Sequence, residues 1–211
     1  TMKNTELNRT LQIGFVFSLS ITSLVSACSQ TPANLLSEAI RIRAAELVSE
    51  AEEQDTFSII GRDGWFFFVP ELRHLSASLY WGKRAETVSR ARDRNSVDPL
   101  PAILDFKQQL ELLEVELLLV PVPLKSVIYP DQLQGTLKLP STIPRLDEAD
   151  ASFYQILRNN GIKVLDLTET FLQSRLHPEG PVYCRTDTHW SGVGCVVAAE
   201  QISRVVQYKP W

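Results

Sequence analysis

The chain has 211 residues, of which 44% are hydrophobic and 22% charged, with a formal net charge of −4. That length supports one globular domain with a proper core and excludes two large ones. The acidic balance and the lack of a basic face exclude an ordinary nucleic-acid binder.

Residues 1–27 read as a signal peptide. Lys3 and Arg9 make a weakly basic leader, and Leu11–Ala27 is mostly apolar but too short and too polar for a comfortable membrane span. It ends Leu24-Val25-Ser26-Ala27-Cys28. Small residues before a Cys have the form of a bacterial lipobox, in which Cys28 is lipidated; the alternative is ordinary cleavage at Ala27. Ser29 after Cys28 favours outer-membrane sorting. Residues 28–56 are expected to form a linker and an N-terminal helix, and residues 57–211 the domain.

Thr31-Pro32 has the form of a helix start, and Leu36, Ile40, Ala44, Leu47 and Ala51 fall on one face of a helix of about five turns. Phe57–Ile60 and Trp65–Val69 predict two strands, with Gly61-Arg62-Asp63-Gly64 as the turn. A short helix or turn is expected over Glu71–Tyr80, and a charged, exposed segment over Lys83–Arg94. Asp98-Pro99 caps a helix expected to bury Leu100, Ile103, Phe106, Leu110 and Leu113. Val115–Val122, apolar on both faces, predicts a central parallel strand. Residues 124–145 read as loop, Asp147–Asn160 as helix, Ile162–Leu167 as a second buried strand and Thr168–Leu176 as a short helix. Val182–Cys184 leads into the loop of Asp187 and His189. Ser191 then caps a last helix with Val193, Val196, Val197, Ile202, Val205 and Val206 inward. Strands alternating with helices predict a three-layer α/β domain with a mostly parallel sheet.

Chemistry concentrates in Tyr183–Gly194, Y-C-R-T-D-T-H-W-S-G-V-G. In an extended loop, residues two apart point the same way, so Asp187 can orient the His189 imidazole while His189 works as base and acid. A bare Asp-x-His also arises by chance. No metal and no other cofactor are expected: His177 is twelve residues from His189, and His74 has no local partner and is expected at the surface. Lys125, at the exit of the central strand, stands where open α/β sheets bind ligands, or is a solvated loop residue. Cys184 and Cys195 are expected to be buried free thiols, with a disulfide as the alternative.

Several stretches together resemble the alginate O-acetyltransferase family (AlgX/AlgJ type), whose domain is SGNH-hydrolase-like. Gly61-Arg62-Asp63-Gly64-Trp65-Phe66-Phe67 resembles its early hairpin. Glu71-Leu72-Arg73-His74-Leu75 and Tyr80-Trp81-Gly82 are similar to the continuation of that hairpin. Pro121-Val122-Pro123, Lys125 and Ile128-Tyr129-Pro130 resemble a strand-and-loop motif, and Val164-Leu165-Asp166-Leu167-Thr168 a later strand. Tyr183 with Thr186-Asp187-Thr188-His189-Trp190-Ser191 matches the most specific motif of the family.

The resemblance implies a periplasmic enzyme acting on an exported polysaccharide. A Ser takes acetyl from a donor, or from a membrane acetyl-transfer protein, and passes it to a sugar hydroxyl. It assigns His189 as base and Asp187 as its partner, with Lys125, Tyr183 and Trp190 as candidates to touch substrate. It places the nucleophilic Ser after the Asp-x-His segment, beyond Trp211, so that the domain here would lack its C-terminal part. No Ser of the chain stands in a Gly-x-Ser or Gly-Asp-Ser setting. The alternatives are a lipid-anchored, non-catalytic polysaccharide-binding or scaffold protein, and a secreted acetylesterase.

Overall fold

In a computed structural model of the chain, residues 32–135 and 138–207 are described. The leader and Cys28 lie outside them. Helix α1 (Pro32–Glu53) follows the expected period: Ile40, Ala44, Leu47 and Ala51 are fully buried. Burying such an aliphatic side chain contributes about 1.5–3 kcal/mol. Its outer face carries ion pairs of Arg41 with Glu38 and of Arg43 with Glu46 and Glu50. The inner face packs on α2 (Val69–Ser76), which buries Val69, Leu72 and Leu75. Helix α1 therefore belongs to the main core.

Between these helices, β1 (Ser58–Ile60) and β2 (Phe66–Phe68) pair antiparallel, with Ile59 opposite Phe67. Ile59 and Phe67 turn inward, while Ile60 and Phe68 stay exposed. The turn is a single 3₁₀ turn in which Asp63 and Gly64 both take left-handed φ values, 50° and 75°. Asp is one of the few residue types other than Gly that tolerate this region. At Gly61 a Cβ would overlap the Gln132 carbonyl oxygen and the Phe67 ring, so only glycine fits.

After α3 (Ala85–Val88), Asp98 caps α4 (Pro99–Glu111), its Oδ1 accepting from the Leu100 N–H at 3.0 Å. Strand β3 (Leu118–Leu119) leads to α5 (Lys125–Ile128), α6 (Glu148–Asn159) and β4 (Lys163–Val164). Strands β3 and β4 are parallel, with Leu119 opposite Val164. Leu117, Leu119 and Val164 pack with Leu100, Ile103 and Leu104 of α4 and with Phe153 and Leu157 of α6. Val120 and Leu165 pack into the main core, formed by α1, α2, α5, α7 (Thr168–Ser174) and α8 (Gly192–Val206). Helices thus cover both faces of a parallel pair, the α/β layering expected from the sequence.

Four expectations are corrected. The strand over Val115–Val122 shrinks to two residues. Its first part closes α4, with Glu114 at a φ of 58° and the Val115 N–H bonded to the Leu110 oxygen. Its last part, Pro121-Val122-Pro123, lacks two backbone donors. On α4, Phe106 is 53% exposed and Leu113 71%, and the face packed on the neighbouring core is the half-buried Leu100, Ile103 and Leu104. On α8, Val196 and Val205 are exposed and Gly194, Val197 and Ala198 are buried. Residues 125–132, read as loop, form α5 and a 3₁₀ turn that buries Val127, Ile128 and Tyr129. Among the described residues no helix is long and apolar enough to cross a membrane.

Candidate active site

The Asp187–His189 segment is a loop closed at its base. Tyr183 and Trp190 form an isolated antiparallel bridge. The Cys184 N–H donates to the His189 oxygen at 3.1 Å and the Ser191 N–H to the Val182 oxygen at 3.0 Å. Ser191 then caps α8, as its sequence position predicts: its Oγ accepts from the Gly194 N–H at 3.1 Å and donates to the Pro181 oxygen. A Cβ on Gly194 would overlap the Val182 carbonyl oxygen, so the close approach of α8 to the loop depends on that glycine.

Within the loop the predicted dyad is formed. Asp187 Oδ1 accepts from the His189 ring Nδ1 at 2.6 Å and from the His189 backbone N–H at 3.0 Å. The hydrogen bond from His189 holds the Asp187 carboxyl below its ordinary range, so it is ionised at neutral pH. An ionised acceptor at Nδ1 fixes the proton there, so in the neutral imidazole it is Nε2 that carries the lone pair. The His189 side chain is 82% exposed, so Nε2 is open to an incoming hydroxyl. Among the described residues no serine hydroxyl bonds to this ring. Ser191 serves the helix cap, and Ser126 Oγ is buried without a partner.

The loop is held from beneath by Lys125. This side chain is fully buried. Its Nζ donates to the carbonyl oxygens of Phe66 at 2.6 Å, Cys184 at 2.7 Å, Arg185 at 3.0 Å and Asp187 at 2.9 Å. It also lies 5.1 Å from the Trp65 ring centroid and 5.4 Å from that of Phe67. Burial pushes its pKa down to about 8, with Glu71 pulling it back, so it remains an ammonium at neutral pH. Lys125 therefore orients the loop and has no surface from which to contact a substrate, contrary to the role expected for it.

Tyr183 is corrected in the same way. It is fully buried, and its hydroxyl donates to the Pro123 oxygen. Burial raises its pKa, so the phenol stays neutral. Trp190 packs against Phe171 with centroids 5.5 Å apart and the rings tilted by 60°, and its buried Nε1 has no hydrogen-bond partner. Cys184 and Cys195 are free, but Cys184 is only half-buried and Cys195 is exposed.

Two residues to which the sequence assigned no role stand close by. Glu71, in the first turn of α2, has its carboxyl pushed up by burial, against a hydrogen bond from Thr188 and the charges of Lys125 and His189. Its Oε2 is buried and unbonded. His74, expected to be alone at the surface, bonds through Nε2 to Asp150 Oδ1 of α6 at 2.9 Å. The signal for both was the spacing within Glu71-Leu72-Arg73-His74, which puts them on one side of a helical turn. His177 takes the Glu179 N–H on Nδ1 at 3.3 Å, in a turn of its own. Among the described residues no group of three His, Cys, Asp or Glu side chains converges as a metal site.

Helices on both faces of a parallel strand pair, with an Asp-x-His dyad on the loop before the last helix, define an SGNH-hydrolase-like domain. Residues 59–211 match the family model described as "SGNH hydrolase-like domain, acetyltransferase AlgX", and the chain belongs to this family. It is 28% identical over 151 residues to the probable alginate O-acetylase AlgJ of Pseudomonas syringae pv. tomato, covering 72% of this chain and 34% of that protein. Identity to the probable alginate O-acetylase AlgJ of Pseudomonas aeruginosa is 26% over 149 residues, 71% of this chain and 33% of that one. The solved O-acetyltransferase domain of Pseudomonas putida AlgJ superposes with a TM-score of 0.52 at 26% identity, covering 71% of this chain and 47% of that structure. The chain thus spans about a third of the length of the curated relatives it matches.

Proposed function

We propose that this chain carries the base and its orienting carboxylate for O-acetylation of an exported, alginate-like polysaccharide. The observation that carries the reading is the 2.6 Å contact of Asp187 with His189 Nδ1 beside an open Nε2. In this mechanism Nε2 takes the proton of a serine hydroxyl as that oxygen attacks the acetyl carbonyl of the donor. The donor's leaving group departs with the proton, leaving an acetyl-serine. Nε2 next takes a proton from an acceptor sugar hydroxyl, whose oxygen attacks the ester. The serine leaves and recovers the proton. The serine that family motif order places after the Asp-x-His segment completes the triad.

The same reading puts the protein in the periplasm, anchored to the outer membrane by a lipidated Cys28, with an acetyl donor or a membrane acetyl-transfer protein as partner. The leader pattern supports the anchor, and loss of palmitate labelling in Cys28→Ala tests it. The second reading is a non-catalytic polysaccharide-binding or scaffold lipoprotein.

The acetyl-ester content of the exported polymer decides between them in cells producing His189→Ala. The transferase reading expects a fall of at least about a hundredfold, the low end of what one acid–base group supplies. Acetylation unchanged by His189→Ala but lost on deletion of the gene means a scaffold.

A further inference from the structure

The segment that runs from β2 into α2 grips the Asp–His loop at two points. In β2, the Phe66 N–H donates to the Arg185 oxygen at 2.7 Å. In the first turn of α2, the Glu71 carboxyl accepts a hydrogen bond from the side chain of Thr188. Thr188 stands between the two members of the dyad. The side chains of Asp187 and His189 are 55% and 82% exposed, whereas Thr188 is half-buried and turns to the floor of the loop. Helix α2 is a firm base for this grip, since Val69, Leu72 and Leu75 are buried in the main core with α1.

Glu71 lies among titratable groups from every side. Lys125 of α5, His189 of the loop and His74, one turn on along α2, each favour its ionised form, and Tyr183 faces it from the base of the loop. Most of these are committed elsewhere. Lys125 Nζ bonds to four carbonyl oxygens, His74 to Asp150, and the Tyr183 hydroxyl to the Pro123 oxygen. Glu71 itself keeps one oxygen, Oε2, buried and unbonded. An amide oxygen would meet the Thr188 hydroxyl as well as a carboxylate does, and a charge taken from water is costly unless a partner gains from it. The partner left for the charge of Glu71 is His189, which turns from neutral to cationic each time it takes up a proton.

We propose that Glu71 is a positioning residue of the dyad: by holding Thr188 it keeps Asp187 and His189 on the open side of the loop, and its carboxylate gives the His189 imidazolium a second counter-charge. The two carboxylates act differently. Asp187 bonds to Nδ1 and fixes which ring nitrogen carries the proton. Glu71 acts through Thr188 and through its field, without a bond to the ring. In the proposed transfer the ring is cationic twice, once with the serine proton and once with the acceptor proton, so a nearby carboxylate favours both proton transfers. That use of the charge rests on the transferase reading; the hold on the loop and the coupling to the ring do not.

The test is an NMR pH titration of the His189 ring and Glu71 carboxyl signals in the isotope-labelled full chain. Glu71→Gln keeps the shape and the acceptor for Thr188 and removes the charge. It should weaken proton binding at the His189 ring about threefold, a downward shift of about half a pH unit. Linkage makes the effect reciprocal, so His189→Ala should raise the midpoint of the Glu71 carboxyl. Thr188→Val keeps the charge and removes the hydroxyl; the Nδ1-protonated tautomer of His189, read from its ring ¹⁵N shifts, should then lose population several-fold to the Nε2 form. A folded Glu71→Gln with the wild-type His189 midpoint, an unmoved Glu71 midpoint in His189→Ala, or wild-type tautomer populations in Thr188→Val would each overturn the role. If Glu71→Gln fails to fold, the other two variants decide it. The readings fail separately: coupled titration of Glu71 and His189 with acetylation indifferent to His189→Ala removes only the transferase.

Discussion

An ammonium has three protons, and Lys125 Nζ meets four carbonyl oxygens, so one N–H is shared between two of them. Three of the four belong to the loop that carries Asp187 and His189. Replacing Lys125 by Met keeps the apolar stem and takes the ammonium donor from the oxygens of Phe66, Cys184 and Asp187, while the Arg185 oxygen keeps the Phe66 N–H at 2.7 Å. At roughly 1–3 kcal/mol for each unsatisfied group, partly recovered by water entry, the loss of unfolding free energy should be on the order of 3 kcal/mol or more. Urea denaturation measures it, and an unshifted midpoint would show that the carbonyls are satisfied without Lys125. The Asp187–His189 pairing was legible because it depends on a spacing of two in an extended loop. The work of Lys125 was not, because its partners are backbone oxygens 59–62 residues away, and backbone oxygens carry no sequence signal.

At the scale of elements, close approaches matter more than hydrophobic period. Helix α8 reaches the loop only because Gly194 lacks a Cβ where the Val182 oxygen sits. Gly194→Ala should push the helix outward and cost roughly 1–3 kcal/mol, the usual range for overpacking. Thermal unfolding checks this, with Gly192→Ala as the control, since a Cβ at Gly192 meets nothing. The valine-rich pattern of α8 predicted the helix, its Ser191 cap and the buried Val197, but it misjudged Val196 and Val205. Valines at Val196 and Val205 stay exposed while the small residues Gly194 and Ala198 face inward. Size, not hydrophobicity, decides which side can come near the loop. On α4 the early residues meet β3, β4 and α6, whereas Leu112 and Leu113 lie past the end of that contact.

Across the whole molecule, two ion-pair systems tie sequence-distant segments together. Arg145 forks Asp147, with bonds of 2.7 and 2.9 Å, and also pairs with Asp166 after β4. His74 joins α2 to Asp150 of α6, with its ring stacked on Tyr80 at 4.6 Å. Burial works against charge on His74, but the hydrogen bond and charge of Asp150 outweigh it and raise the pKa above 6.5. A raised folded-state value means that this pair stabilises fully below pH 6.5, and that the gain is lost as pH rises through the folded value. With the His74 side chain 37% exposed, the gain should stay within about 1 kcal/mol. Asp150→Asn should flatten that part of the stability–pH curve; an unchanged slope would assign the pH dependence to other groups. The layered α/β arrangement was visible in the alternation of apolar runs with capped helices. These cross-chain pairs were not, since each joins residues that neither period nor motif relates.

The Lys125 knot also sets when the Asp–His loop can exist. Phe66, Lys125 and the Cys184–Asp187 segment lie about 60 residues apart in sequence, and none reaches its final geometry until all three meet. Contacts that close loops of this length form only after much of the chain has collapsed, because the entropy of closure comes first. The amide of Cys184, bonded across the loop base, should therefore exchange its hydrogen only through openings that also dismantle the core between β2 and α5. In this protein, exposure of the His189 ring and anchoring of the backbone that carries it are separate properties: the imidazole faces solvent, while its supporting peptide is tied to the core through the buried ammonium of Lys125.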